Sequence, residues 1–171
     1  MYEIEIADQQ ECLAVDSDWL KKIAAGTLAA EQVAAAELSI ALVGNAEIWD
    51  INRQFLGHDY ATDVISFLLE CEPANAESAA GAAPDLRRAG LRGAGKTIGG
   101  EIIISTEMAS QMAGEYQWNP LDELALYLVH GILHLCGYDD LSESEQHMMR
   151  GREKDVLAAW NLTPHYATEP C

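Results

Sequence analysis

One stretch decides what the rest of this chain can fold around. From Asn119 to Gly137 the sequence reads NPLDELALYLVHGILHLCG. Asn119 offers a side-chain oxygen as an N-cap, Pro120 suits the first helical position, and Asp122 and Glu123 complement the free amides of a first turn. Gly137 can take the left-handed conformation that commonly closes a helix. Between these signals the segment is apolar on nearly every face, and such a helix is stable only when other elements cover it. The spacing therefore predicts a helix at the centre of a small domain.

The preceding sequence supplies the cover. MYEIEIAD at the N-terminus alternates apolar and polar residues as an edge strand does. From Asp16 to Glu37, Leu20, Ile23, Leu28 and Val33 recur at helical spacing, and Gly26-Thr27 reads as a break between two short helices. LSIALV at 38–43 predicts a second strand. Asn45 then reads as the cap of a helix that carries Ile48, Ile51, Phe55 and Leu56 and stops at Gly57. DVISFLL at 63–69 and IGGEIII at 98–104 predict a third and a fourth strand. After the central helix, Ser142 and Glu145 form a capping box for a last helix through Met148, Met149, Val156, Leu157 and Trp160. The segment 71–96, rich in Ala, Gly and Pro and without apolar periodicity, reads as a flexible surface insertion.

A length of 171 residues fits one domain spanning 1–171. No apolar run approaches the roughly 20 residues that span a bilayer, and the N-terminus lacks a signal-peptide pattern. A cytoplasmic protein with no membrane partner is expected. Cys12, Cys71, Cys136 and Cys171 are scattered without a CxxC pair, which fits a reducing compartment and excludes a thiolate metal framework. A formal charge of -18 argues against a broad electropositive face for nucleic acid, so a polyanionic partner needs a local basic patch. Two groups of basic residues qualify, Arg87 to Lys96 and Arg150, Arg152 and Lys154, although ordinary charge pairing on a loop and a helix face accounts for them equally well.

His130 and His134 lie four residues apart, so a helix directs both imidazoles from one face. Two uncompensated imidazoles on a buried helix would cost several kcal/mol in lost hydration, and a shared divalent ion removes that cost. A third ligand is within reach: Gly137 turns the chain back and Asp140 follows, giving HxxxHxxGxxD. Asp139 is the nearest competitor and His147 a weaker one, while Cys136 points to another side of the helix. The spacing is that of helical zinc proteases, but the Glu that serves them as general base is Gly131 here, so peptide hydrolysis by that route is not expected.

HGILHLCGYDD at 130–140 closely resembles the HGxLHLxGYDH signature of the YbeY family of bacterial metal-dependent endoribonucleases. NRQFLGHDYATDVISF at 52–67 resembles that family's asparagine-arginine segment followed by TDVLSF. GGEIIIS at 99–105 resembles GDIxIS, and MRGREKDVL the helix that follows the metal motif. These pieces occur in the family's order and cover most of the chain from about residue 38. Where the family carries a third histidine, this chain carries Asp140. Aspartate is an ordinary zinc ligand, and it leaves the ion at net +1 instead of +2.

The resemblance implies an α+β fold, with a small mixed sheet of about four strands covered by helices and the motif on a central buried helix. It implies one zinc ion per chain held by His130, His134 and Asp140, and a catalytic Arg53 offering its guanidinium to phosphate. By itself Arg53 reads first as a helix-surface ion pair, and it is the resemblance that reverses this preference. Thr62, Asp63 and Ser66 are candidates for shaping the pocket, Tyr138 for packing, and no residue is an evident general base. The implied function is single-strand-specific endoribonuclease activity in small-subunit (16S) rRNA maturation and ribosome quality control, with RNA and the small ribosomal subunit or its proteins as partners. The alternatives are a ribosome-assembly factor with a mainly structural metal, or a metal-dependent hydrolase of another substrate.

Overall fold

A computed structural model describes residues 1–73 and 91–166. The chain runs β1 (Tyr2–Asp8), α1 (Ser17–Ala30), β2 (Ala35–Val43), α2 (Asn45–Ile51), a π-type turn (Asn52–Leu56), β3 (Val64–Glu72), β4 (Thr97–Ser105), α3 (Thr106–Tyr116), α4 (Pro120–Cys136) and α5 (Glu143–Ala158). The strands form one mixed sheet in the order β1-β2-β4-β3. β1 and β2 are parallel, as are β2 and β4, while β3 runs antiparallel to β4. This is the expected α+β architecture, and β1 lies on an edge. Among the described residues no helix is long and apolar enough to cross a membrane.

The side-chain alternation of the strands sorts the two faces of the sheet. Leu38, Ile40 and Leu42 of β2 and Ile98, Ile102 and Ile104 of β4 are buried together with Leu20, Ile23 and Leu28 of α1 and Leu124 and Leu128 of α4. The opposite face is covered in part by a smaller cluster of Val43, Ile48 and Ile65. α4 packs against β3 and β4 of the sheet and against α1, α3 and α5, while α1 also packs on β1. Twelve of its 17 residues are buried, including Glu123, Gly131 and Cys136. Its ends form as its sequence dictates: Asn119 accepts from the Leu121 amide at 2.8 Å, and Gly137, at φ 112°, closes the last turn. The Ser142–Glu145 capping box that starts α5 is present.

Several expectations require correction. Residues 17–30 form one helix, not two, because Gly26 marks a close approach and not a break: a β-carbon there would sit 3.4 Å from the Trp160 ring. The Thr27 hydroxyl donates back to the Ile23 carbonyl at 2.8 Å within the same helix. Residues 35–37, read as helical, begin β2. The cap of α2 is Gly44, whose amide donates to Glu47 at 2.6 Å, and Asn45 instead accepts from the Ser105 hydroxyl at 2.6 Å. The expected insertion at 71–96 falls for residues 74–90 outside the described residues. Its ends are structured: Cys71 and Glu72 belong to β3, and a β-carbon on Gly93 would lie 2.9 Å from Val33 and 3.1 Å from the Cys136 sulfur. α3 is an element for which the sequence offered no clear period.

Candidate metal centre

The imidazoles of His130 and His134 leave α4 on the one side that is not packed against apolar neighbours, with their Nε2 atoms 3.0 Å apart. Gly137 reverses the chain, the Tyr138 amide bonds back to the Leu133 carbonyl at 3.1 Å, and the next turn carries Asp140 to the pair. Its carboxylate oxygens stand 3.5 Å from His130 Nε2 and 3.6 Å from His134 Nε2. One donor atom from each of the three residues lies within 4.8 Å of the others. Asp139, the rival carboxylate, is turned to accept from the Asp140 amide at 2.8 Å. His147 is exposed on α5.

The remaining nitrogens settle what the cluster can hold. His134 Nδ1 lies 3.0 Å from the Tyr138 carbonyl oxygen, which can only accept, so that nitrogen donates. His130 Nδ1 lies 2.6 Å from Glu153 Oε1 and donates likewise. In the neutral forms both Nε2 lone pairs therefore converge, and either a shared proton or a cation relieves their repulsion. Donors tetrahedral about zinc at bond lengths of roughly 2.0 to 2.2 Å stand about 3.3 to 3.5 Å apart. The donor set suits one divalent ion: the Asp140 distances match this spacing, and the two imidazoles need to part by only about 0.3 Å. Cys136 takes no part: it is buried, and burial together with the nearby Glu31 carboxylate pushes its thiol up to about 12.

Glu153 was not anticipated from the sequence. It comes from α5, is 2% exposed, and is held by the Tyr166 hydroxyl, which donates to Oε2 at 2.5 Å. A carboxylate that orients a ligating imidazole and raises its basicity is a recurrent feature around metal ions. Burial disfavours the charged form of His130, but the Glu153 bond and the charges of Glu153, Asp63 and Asp140 outweigh it and raise its pKa. Burial and the neighbouring His130 lower that of His134. The signal for Glu153 was present in the pattern: it shares a helix face with Met149, Val156 and Leu157, all buried. A carboxylate inside an apolar stripe needs a partner.

His130 and Asp140 open onto a cleft of about 400 Å³ whose walls include Met108, Tyr127, Arg150 and Tyr166. Thr62, Asp63, Glu123 and Glu153 line it as well. Asp63, a candidate from the strand-start motif, accepts from the Val64 amide at 2.8 Å and from Thr62 at 3.1 Å. Burial raises the pKa of Glu123, against hydrogen bonds from Trp118 and Tyr127 that lower it. Ser66 faces α4, donating to the Gly131 carbonyl at 3.2 Å. Tyr138 does more than pack, since its carbonyl fixes His134 and its hydroxyl donates to the buried Glu31 at 2.9 Å. Arg53 is not among the residues lining the cleft. It lies in the π-type turn, paired with Asp50 at 3.3 Å and stacked 5.3 Å from the Trp49 ring.

Fold and site together define an α+β protein with a helix-borne group of two imidazoles and one carboxylate suited to a single cation. The match to known proteins is specific: the family described as Endoribonuclease YbeY matches residues 3–161, and this chain belongs to it. A protein named Endoribonuclease YbeY from Listeria welshimeri is 38% identical over 165 residues, covering 94% of this chain and 96% of the relative. Its namesake from Bacillus licheniformis is 38% identical over 128 residues, 75% of this chain and 74% of the relative. The solution structure of TM1509 from Thermotoga maritima shares the fold, with a TM-score of 0.54 at 22% identity over 94% of this chain and 92% of that one.

Proposed function

We propose that this chain is a metal-dependent endoribonuclease specific for single strands, with His130, His134 and Asp140 as ligands of one zinc ion. Its substrate is rRNA, cleaved in the cytoplasm during small-subunit maturation and ribosome quality control in association with the small subunit. Family membership supports the reaction class. The observation that carries the site is the convergence of two Nε2 atoms 3.0 Å apart with a carboxylate at 3.5 and 3.6 Å.

A bound divalent ion supplies polarisation of a phosphoryl oxygen and acidification of a water. The chain's own residues do the rest. Glu153 and the Tyr138 carbonyl hold the two Nδ1 protons, so that both imidazoles present their lone pairs and keep their orientation as charge develops nearby. Tyr127, Met108 and Tyr166 give the cleft beside the site largely apolar walls. Arg53 contacts the RNA backbone from outside the cleft, through the guanidinium edge that Asp50 leaves open. Gly131, buried under the sheet where a helical protease carries its general base, has no access to a substrate.

The test is cleavage of a single-stranded RNA by RNase-free protein, with metal content measured in parallel. His130→Ala and Asp140→Ala are expected to lose bound zinc and at least a hundredfold in cleavage rate. Chelator is expected to abolish cleavage and added zinc to restore it. Cleavage that survives chelation, or unchanged metal content in the Asp140 variant, refutes the assignment.

A further inference from the structure

The cleft is an unfavourable place for an anion. Asp63, Glu123, Asp140 and Glu153 line it, and among the described residues that do so Arg150 is the one arginine or lysine. Two neutral imidazoles and one carboxylate leave a divalent ion at net +1, with three further carboxylates about it. A phosphodiester entering such a field needs a second cation.

Arg150 is placed and free to be that cation. Its guanidinium carbon sits 4.7 Å from the centroid of the Tyr166 ring. The hydroxyl of this ring is anchored to Glu153, and Glu153 is anchored to His130. The cation–π contact places the guanidinium over the ring and leaves its N–H groups for an acceptor. Among the described residues no carboxylate pairs with Arg150. Arg53 is paired with Asp50, Arg152 binds Glu31 at 2.7 Å and Asp155 at 3.3 Å, and Arg92 donates to the Gly137 carbonyl at 2.9 Å.

We infer that Arg150 is the phosphate-binding residue of the cleft, its guanidinium, held over the Tyr166 ring, gripping a backbone phosphate of the RNA strand that lies over His130 and Asp140. The inference rests on the nuclease reading and names the residue that binds its substrate. It also divides the basic cluster on α5: Arg152 is structural, and Arg150 faces the substrate.

The experiment measures anisotropy of a fluorescent single-stranded oligonucleotide with a 2′-O-methyl backbone, which binds without being cut, against zinc-loaded full-length protein over a salt series. Arg150→Ala is expected to weaken binding roughly tenfold, as loss of a charge-assisted bond to an anion does. The slope of log affinity against log salt is expected to fall by about 0.7, the value for one phosphate contact on a single strand. Arg150→Lys keeps the slope and recovers part of the affinity, which separates loss of charge from loss of packing on Tyr166. Zinc content stays at the parent level in both. Unchanged affinity and slope in Arg150→Ala, with the parent binding and cleaving RNA, overturn this inference alone. A parent protein that neither binds nor cleaves overturns it together with the nuclease reading.

Discussion

His130 is oriented by a carboxylate 23 residues further along the chain. Replacing Glu153 with Gln keeps the shape but puts an amide where an ionised acceptor stood. The imidazole then becomes less basic and less firmly held. Zinc affinity is expected to fall about 10- to 100-fold, as for other outer carboxylates of metal-bound histidines, with the fold intact. Competition with a chromogenic chelator, alongside a circular dichroism spectrum, measures this; equal affinity in the two proteins would show that Glu153 merely fills space. At this scale the sequence disclosed the donors and not their supports. Histidines four apart and a carboxylate beyond a glycine are close neighbours along the chain, so spacing reveals them. The period of α5 marks Glu153 as a carboxylate on a buried face, but its pairing with His130 and Tyr166 comes from tertiary packing, which no local period records.

At the scale of elements, the helix that carries the imidazoles lies close against the sheet because it has a glycine at its centre. A β-carbon on Gly131 would stand 2.9 Å from Ile102 Cγ2, 3.2 Å from Ser66 Oγ and 3.3 Å from Val64 Cγ2. Gly131→Ala gains up to about 1 kcal/mol of helix propensity, but overpacking a core costs about 1 to 3 kcal/mol. Ile102 is fully buried in a central strand and has little freedom to retreat, so the packing cost should win. A fall of several degrees in thermal midpoint is expected, and an unchanged or raised midpoint would mean that helix and sheet separate easily. Element boundaries were legible where chemistry marks them, as at Asn119, Gly137 and Ser142. They were hidden where small residues carry the buried face. α3 buries Thr106, Ala109 and Ala113, which show weak contrast with their neighbours, although Ser105 caps the helix by accepting from the Met108 amide at 3.1 Å. Gly26 misled for the opposite reason, since a glycine that admits the Trp160 ring looks the same in sequence as one that ends a helix.

Across the whole molecule, one partly buried ion pair ties the first helix to the last. Glu31, at the end of α1 and fully buried, receives Arg152 at 2.7 Å and the Tyr138 hydroxyl at 2.9 Å. Arg152→Met would leave a buried carboxylate without its cation and is expected to cost about 3 to 5 kcal/mol in urea unfolding. Adding Glu31→Leu should restore much of that loss, because the pair's worth lies in mutual compensation. If the single substitution costs less than about 1 kcal/mol, Tyr138 alone satisfies Glu31. The buried place of α4 followed from hydropathy along the chain, and the α+β class from the family resemblance. The sheet order did not, since the antiparallel insertion of β3 outside β4 depends on pairing between residues far apart.

The route of the chain through the cleft also bears on biosynthesis. A nascent polypeptide that has emerged as far as Cys136 exposes both imidazoles before Asp140, Glu153 and Tyr166 exist. The proposed ligand set is therefore complete only once the turn carrying Asp140 has been made, and His130 gains the support of Glu153 only once α5 has docked.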